Sequence, residues 1–475
     1  MTLPDWMTKE LVENTLVDYF QNKSVHVVDM VSKFAVPIGD NFCSDLFRLT
    51  VSYKSSAINN TETISLIAKV KPETGAKQML TNEIPVFEKE SEMFNVTLKK
   101  LHQLLGAKCL SAECLQAEVG THGWLILQDL APLGYTMADR KAGLDMNHCL
   151  MVLNKVAKMH ASSAVLYEKE PNSMTNYDKG IYTNQLGNPI ASHFCNSGIQ
   201  SLALAVDKWQ GFTQYSSKLT AIAEHIFEKV VKGSERRAGF NVLNHGDLWV
   251  NNILFKYDSN GDPVDCKFVD FQFSVYTSPA IDLQYFIYTS VKQEIERTQL
   301  NRLLDCYYEE LVKQLKKLNY PKEKIPTLEW IRKDFSDRSL YGFAAAFTVL
   351  PIVKAPPRKD ATFDEIFKSD NEDADYYYAE LVKQLKKLNY PEEKIPTLEW
   401  IRKDFFDRSL YGFVSAITVL PIAKAPPRKD ATFDEILNAD DGDASFRQAS
   451  YNEPDFRSMM EKLLPHFENL GLLNN

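Results

Sequence analysis

The chain has 475 residues, 44% hydrophobic and 25% charged, the make-up of a folded protein with a sizeable core. Its formal charge is −9, with acidic residues spread along it, which disfavours nucleic-acid partners and anionic membranes because both need clustered Lys and Arg. Seven irregularly spaced cysteines without a CxxC pair argue against a zinc or redox site and for reduced thiols.

The first predicted element is an amphipathic helix starting near Thr8. Asp5, Lys9, Glu10 and Glu13 interrupt any apolar run there, so no signal peptide is expected. No apolar stretch approaches the roughly 20 residues of a membrane span. A cytoplasmic protein without a membrane partner is expected. Three strand-like runs follow between about residues 25 and 75: VHVVDMV, FRLTVSYK and TISLIAKVK. The turn-rich PIGDNFCSD separates the first two. A helix is predicted over about 82–105, then a short buried strand in GWLILQDL.

From Asn147 the period becomes helical, in HCLMVLNKVAKMHASSAVL, with more helix around 199–232. LNHGDLWVNNILF and CKFVDFQF then read as two short strands, the first carrying a polar loop. The remainder is helical, punctuated by Pro321, Pro326, Pro356 and Pro357. The expected fold class is α+β, with a β-rich N-terminal lobe over 1–130 and a mainly α lobe over 131–375. Residues 376–475 read as a near-duplicate of 306–375 plus a C-terminal tail. The repeat pairs YYEELVKQLKKLNYP, from Tyr307, with YYAELVKQLKKLNYP, from Tyr377, and runs at a 70-residue offset to about Asp443. Two copies do not make a solenoid. The second copy follows every candidate catalytic motif and is expected to play no part in the chemistry.

Those motifs centre on residues 245–252, HGDLWVNN. Asp247 and Asn252 stand in an Asp-x-x-x-x-Asn spacing, and Asp270 follows in the apolar run KFVDFQF. Phosphoryl transfer from ATP needs a base for the acceptor hydroxyl, oxygen ligands for Mg²⁺ and a cation on the phosphates. Asp247 fits the base, as in the kinase catalytic loop, with Asn252 and Asp270 as metal ligands. A carboxylate in a buried strand is costly unless paired or metal-bound, which singles out Asp270. A polar turn between hairpin strands explains Asp247 alone, but not the compound pattern.

HGDLWVNNILF, VDFQFS, SPAIDLQYF and GWLILQDL together resemble the ecdysteroid kinase-like (CHK kinase-like) family, related to choline kinases and aminoglycoside phosphotransferases. The resemblance spans roughly residues 30–350 and the C-terminal tail. It implies a protein-kinase-like two-lobed fold that uses ATP and Mg²⁺ on a small-molecule hydroxyl acceptor, such as an ecdysteroid-like sterol or hydroxylated xenobiotic. It makes Lys69 the strand lysine on the α/β-phosphates, with Lys71 its nearest rival. Glu90 becomes that lysine's helix partner, with Glu88 and Glu92 as competitors. Gln128 and Leu130 become the hinge beside adenine, through backbone groups. The family more often has Glu at the position of Gln128. His245 and Asp282 support the catalytic loop, Asp282 from the following helix. The phosphate loop falls on residues 39–44, with Gly39, Asn41 and Ser44; one glycine there is also compatible with an ordinary β-turn. His160 reads as a packed core histidine. About 65 residues precede His245 as an insert, and in the resembled family such helices build the acceptor pocket. Phe194, Trp209, Phe212 and Tyr215 in it face either the core or a bulky apolar acceptor.

A protein kinase is disfavoured. Gly246 stands where His-Arg-Asp carries Arg, and only eleven residues separate Asp270 from Asp282, too few for a peptide-docking segment. The alternative is a catalytically inactive nucleotide-binding module, its C-terminal lobe disturbed by the duplication.

Overall fold

The computed structural model describes residues 3–35, 44–56, 58–72, 85–120, 122–182, 189–223, 225–348 and 454–469, together with Leu473. Helix α1 (Lys9–Phe20) is capped by Thr8, whose side chain accepts from Leu11 N, a bond worth about 1 kcal/mol. Strands β1 (His26–Phe34), β2 (Asp45–Ser55), β3 (Ile58–Val70), β4 (Cys114–Glu118) and β5 (Trp124–Gln128) form one antiparallel sheet in the order β1-β2-β3-β5-β4. Between β3 and β4 lies α2 (Val86–Glu92), which continues through a π-helical turn (Met93–Thr97) into α3 (Leu98–Leu105).

Strand alternation decides what each face of this sheet does. Leu66, Ala68 and Val70 of β3 pack with Phe47, Leu49 and Val51 of β2 against Val12 and Leu16 of α1. Lys69 lies between Ala68 and Val70, so its side chain emerges on the opposite face. That face meets α2 and the second lobe.

The second lobe is built on α4 (Met146–Lys169), N-capped by Asp145, which accepts from His148 N at 3.1 Å. Helices α5 (Pro189–Val206), α6 (Thr213–Ala223) and α7 (Ile226–Ser234) follow. The expected two strands around HGDLWVNN are arranged differently. β7 (Val242–Asn244) ends just before the loop and pairs with β10 (Val275–Thr277), not with its successor. β8 (Ile253–Tyr257) and β9 (Pro263–Phe268) pair with each other, and β6 (Tyr135–Met137) adds to β8. The loop is thus strung between two small sheets, which fixes both its ends.

Four helices complete the lobe: α8 (Ala280–Ser290), α9 (Gln293–Lys317), α10 (Leu328–Asp337) and α11 (Ser339–Thr348). Every residue of α8 is buried. The first repeat copy supplies the C-terminal part of α9, from Tyr307, and all of α10 and α11, burying Tyr307, Leu311, Ile331, Phe335 and Phe343. The second copy lies outside the described residues. α12 (Pro454–Asn469) returns to this core through Met460, Leu463 and Leu464. The architecture is α+β, as expected, with a β-rich N-terminal lobe and a mainly helical C-terminal lobe. Among the described residues no helix is long and apolar enough to cross a membrane, and the six described cysteines are free.

Candidate active site

Lys69 Nζ lies 2.5 Å from Glu90 Oε2 and 2.7 Å from Asp270 Oδ1, with the lysine and Glu90 both enclosed. Of the three glutamates on this stretch of helix, Glu90 is the one facing inward, because α2 turns Glu88 outward and leaves Glu92 half-buried. Lys71 is drawn into the strand end, its N–H donating to Gly123 O at 2.8 Å. Burial opposes the Lys69 charge, but Asp270 and then Glu90 outweigh it and hold the ammonium above its ordinary range. Glu90 also accepts from Phe271 N at 3.2 Å, so α2 grips the chain just beyond Asp270. Asp270 has a left-handed backbone, φ 66°, which costs a non-glycine residue about 1–3 kcal/mol unless its surroundings hold it. Here Lys69 holds one carboxylate oxygen, and Gln272 Nε2 donates to the other at 3.3 Å.

Across from this cluster, Asp247 is clamped from two sides. Tyr285 Oη donates to its Oδ1 at 2.6 Å, and Asn252 Nδ2 donates to its Oδ2 and to its main-chain oxygen, each at 2.9 Å. Burial pushes the Asp247 carboxyl up to about 7, against the pull of the Tyr285 hydrogen bond and with a contribution from the Asp270 charge. A carboxylate poised there is matched to taking up a proton near neutral pH.

The loop itself is held by His245 and Asp282. His245 Nε2 donates to Val269 O at 2.9 Å, tying the catalytic loop to the residue before Asp270. Its Nδ1 accepts from Asp247 N at 3.4 Å, and burial holds the ring below its usual range, so the neutral imidazole satisfies both bonds. Asp282, fully buried at the start of α8, accepts from His245 N at 2.7 Å and Gly246 N at 2.9 Å. Gly246 has φ 84°, and a Cβ there would sit 2.0 Å from Phe273 O. No side chain fits, which accounts physically for glycine where protein kinases carry Arg.

His160 is buried, as expected of a core residue, but it is more than packing. It bridges Asp282 Oδ2 at 3.1 Å and Tyr307 Oη at 2.9 Å, and so braces the brace. Tyr285 escaped the sequence reading. It lies three residues after Asp282 on α8, and that spacing places the two on one helix face.

In the hinge, Gln128 N donates to Glu113 O at 2.8 Å, and Leu130 O accepts from Leu133 N and Tyr135 N at 3.1 and 3.2 Å. Asp129 between them is structural: its carboxylate binds Arg48 Nε at 2.7 Å, Ser65 Oγ at 2.6 Å and Ala131 N at 3.0 Å. Gly39 and Asn41 lie outside the described residues, and Ser44 is fully buried just before β2.

Of the insert aromatics, Trp209 and Tyr215 take the core alternative. Trp209 is fully buried beneath the Arg457 guanidinium of α12, 5.7 Å from the ring centre. Tyr215 donates to Glu468 at 2.9 Å, and Phe212 packs on Tyr215. The side chain of Phe194 lies outside what is described. The sequence could not foresee this, because α12 arrives from more than 200 residues away to cover them. A cavity of about 390 Å³ is walled by residues 174–182, the end of α7 and β10.

A model of the ecdysteroid kinase-like family matches residues 38–320. No curated protein matches the chain. Among solved structures, an ethanolamine kinase of Plasmodium vivax is 13% identical over 73% of this chain and 83% of its own, with a TM-score of 0.37. An aminoglycoside-3'-phosphotransferase of type VIII is 11% identical over 68% of this chain and 95% of its own, with a TM-score of 0.29. A vaccinia related kinase 3 is 11% identical over 81% of this chain and 100% of its own, with a TM-score of 0.16.

Proposed function

The chain belongs to the ecdysteroid kinase-like family, and on that premise we propose that it transfers the γ-phosphoryl group of ATP to a hydroxyl of a small organic molecule. The observation that carries this reading is the lysine held between Glu90 and Asp270, facing a clamped Asp247 poised near pH 7. The parts match what phosphoryl transfer asks of a protein: fixed charge and fixed geometry rather than covalent chemistry.

Asp247 takes the proton of the acceptor hydroxyl as that oxygen forms its bond to phosphorus and the bond to the ADP oxygen breaks. Tyr285 and Asn252 keep the carboxylate from turning away. Lys69 holds the α/β-phosphates, and Glu90 fixes its position. Leu130 N–H and the backbone around Gln128 meet adenine. The neighbourhood of Asp270 suits Mg²⁺ by the chemistry of its donors. Asn252 spends both amide hydrogens on Asp247, leaving its amide oxygen free to turn outward, and Asp270 adds carboxylate oxygens. Such hard oxygen donors, two from protein and the rest from phosphate and water, are what Mg²⁺ prefers. Asn252 and Asp270 would hold the ion, and Mg²⁺ there would supply positive charge against the negative charge that develops on the phosphates. Among the described residues no trio of His, Cys, Asp or Glu forms a metal site, in keeping with a metal shared with the nucleotide. An ecdysteroid-like sterol or a hydroxylated xenobiotic is the acceptor class the family suggests.

The test is Mg²⁺-dependent ADP release by the full chain with a panel of steroid and small alcohol acceptors, followed by mass analysis of the products. The expected result is an acceptor heavier by one phosphoryl group, lost in Asp247→Ala and on chelation of Mg²⁺. ATP binding with no phosphorylated product from any acceptor would instead favour the inactive nucleotide-binding module.

A further inference from the structure

We propose that Arg48, held in place by Asp129, roofs the nucleotide base and makes the site selective for a purine over a pyrimidine. This rests on the phosphotransfer reading above and specifies its nucleotide.

Strand register places the residue. Phe47 and Leu49 of β2 are buried on the α1 side of the sheet, so Arg48 between them emerges on the opposite face, the one that carries Lys69. In the β2–β3 ladder Arg48 stands opposite Ile67, which precedes Lys69 by two residues on that same face. Ser65, two residues further back, reaches the hinge, where its hydroxyl donates to Asp129 Oδ2 at 2.6 Å. Ser65, Ile67 and Lys69 therefore run from the hinge to the cation on the phosphates, and Arg48 lies beside the middle of that run. A base held at the hinge with its phosphates on Lys69 passes beneath Ile67 and Arg48. Leu254 and Val269 of the other lobe pack with the hinge residue Leu130 and supply an apolar floor. Ile67, Leu254 and Val269 are each half-buried, whereas their chain neighbours Leu66, Ala68, Ile253 and Phe268 are fully enclosed. Apolar surface left open on both lobes beside the hinge suits a flat ring.

Chemistry then names the contact. Arg48 uses only Nε on Asp129, at 2.7 Å, and among the described residues its two terminal nitrogens make no hydrogen bond. Asp129 is the more enclosed partner, its side chain 4% exposed against 28% for Arg48. It is pinned in turn by Ser65 and by Ala131 N, which donates at 3.0 Å. This anchor keeps the guanidinium at the hinge, where an untethered arginine would swing out into water. A cation fixed over the face of an aromatic ring is attracted by the ring's π electrons. A guanidinium suits the role better than an ammonium, being planar and more weakly hydrated. A purine offers it two fused rings and a pyrimidine one. Adenine and cytosine both present an amino donor beside a ring-nitrogen acceptor, so backbone groups of the hinge do not separate them by hydrogen bonds alone. The area of the ring beneath Arg48 does.

The experiment measures ADP and CDP binding to the full chain by calorimetry with Mg²⁺ present. Both lack the γ-phosphoryl group, so the readout is independent of turnover. ADP should bind about tenfold tighter than CDP. Arg48→Met keeps an unbranched stem and removes the cation; it should weaken ADP about tenfold and CDP about threefold, narrowing the preference about threefold. Asp129 is a positioning residue, so Asp129→Asn should weaken ADP about threefold in the wild-type background and leave it unchanged in Arg48→Met. The double variant leaves no unpaired charge at the hinge, and its ADP-to-CDP ratio serves as the test if Arg48→Met alone does not fold. Equal losses of ADP and CDP affinity, as a purely structural clamp would give, overturn the proposal, and so does no loss at all. If the ADP preference depends on Arg48 but no acceptor gains phosphate from ATP, the base contact stands and the phosphotransfer reading falls. If an acceptor is phosphorylated and the preference survives Arg48→Met, phosphotransfer stands and the Arg48 assignment falls.

Discussion

Replacing Tyr285 by Phe removes one hydroxyl and leaves the ring in place on a helix that is buried throughout. The lost bond is the 2.6 Å donation to Asp247 Oδ1, which favours the charged carboxylate. Without it the Asp247 carboxyl, already pushed up to about 7, must rise further. A hydrogen bond to a charged group contributes about 1.5–3 kcal/mol, and 1.36 kcal/mol corresponds to one pH unit, so the rise is about 1–2 units. Asp247 must be unprotonated to accept the hydroxyl proton. The acidic limb of kcat/KM, which reports the free enzyme, should therefore move from about pH 7 to about pH 8–9. At pH 7 the active fraction falls from about one half to between about one tenth and one hundredth, a loss of roughly 5- to 50-fold. Activity should recover at alkaline pH. The assay is ADP release from pH 5.5 to 10 at constant ionic strength, wild type against Tyr285→Phe. A loss that is equal at every pH, or a limb that moves to lower pH, refutes the base assignment and leaves Tyr285 a packing residue.

Lys69→Met leaves the buried Glu90 and the partly exposed Asp270 without their cation; a broken buried pair costs about 3–5 kcal/mol, so urea unfolding should show a large loss of stability alongside lost ATP turnover. Gly246→Ala forces a Cβ against Phe273 O at a positive φ, and should cost more than the ~1–2 kcal/mol of the left-handed conformation alone, with the catalytic loop displaced and kcat reduced. Thr97→Val removes the 2.8 Å contact between the π-helical turn and Tyr177 Oη in the cavity wall. It should lower stability by about 0.5–1.5 kcal/mol, the worth of one neutral hydrogen bond, read by urea unfolding, with the KM for ATP unchanged. Deleting residues 377–446, one repeat unit, should leave kcat and melting temperature unchanged, because the first copy already supplies the buried side chains of α10, α11 and the C-terminal part of α9.

What the sequence determined by itself was the set of local patterns whose chemistry does not depend on distant contacts. The alternation in TISLIAKVK put Lys69 on the face opposite Leu66, Ala68 and Val70, and the helical period after Asn147 separated the two lobes. HGDLWVNN and the Asp270 strand were legible because Asp247, Asn252 and Asp270 are close in sequence, with fixed spacings. Which glutamate meets Lys69 was open, since 88, 90 and 92 are equally polar in a string of letters. Only the packing of α2 against Phe271 chose Glu90. The two contacts that tune Asp247 and brace its loop, Tyr285 and His160, became visible when α4 packed against α9 and brought His160 to Asp282 of α8. Whether the insert aromatics face the core or a ligand was open for the same reason. Trp209 and Tyr215 carry the composition of a pocket, but a helix more than 200 residues further on covers them, and the open volume falls on residues 174–182. Burial is a property of the whole chain's packing, so no single segment encodes which of its apolar side chains remains free to meet a ligand.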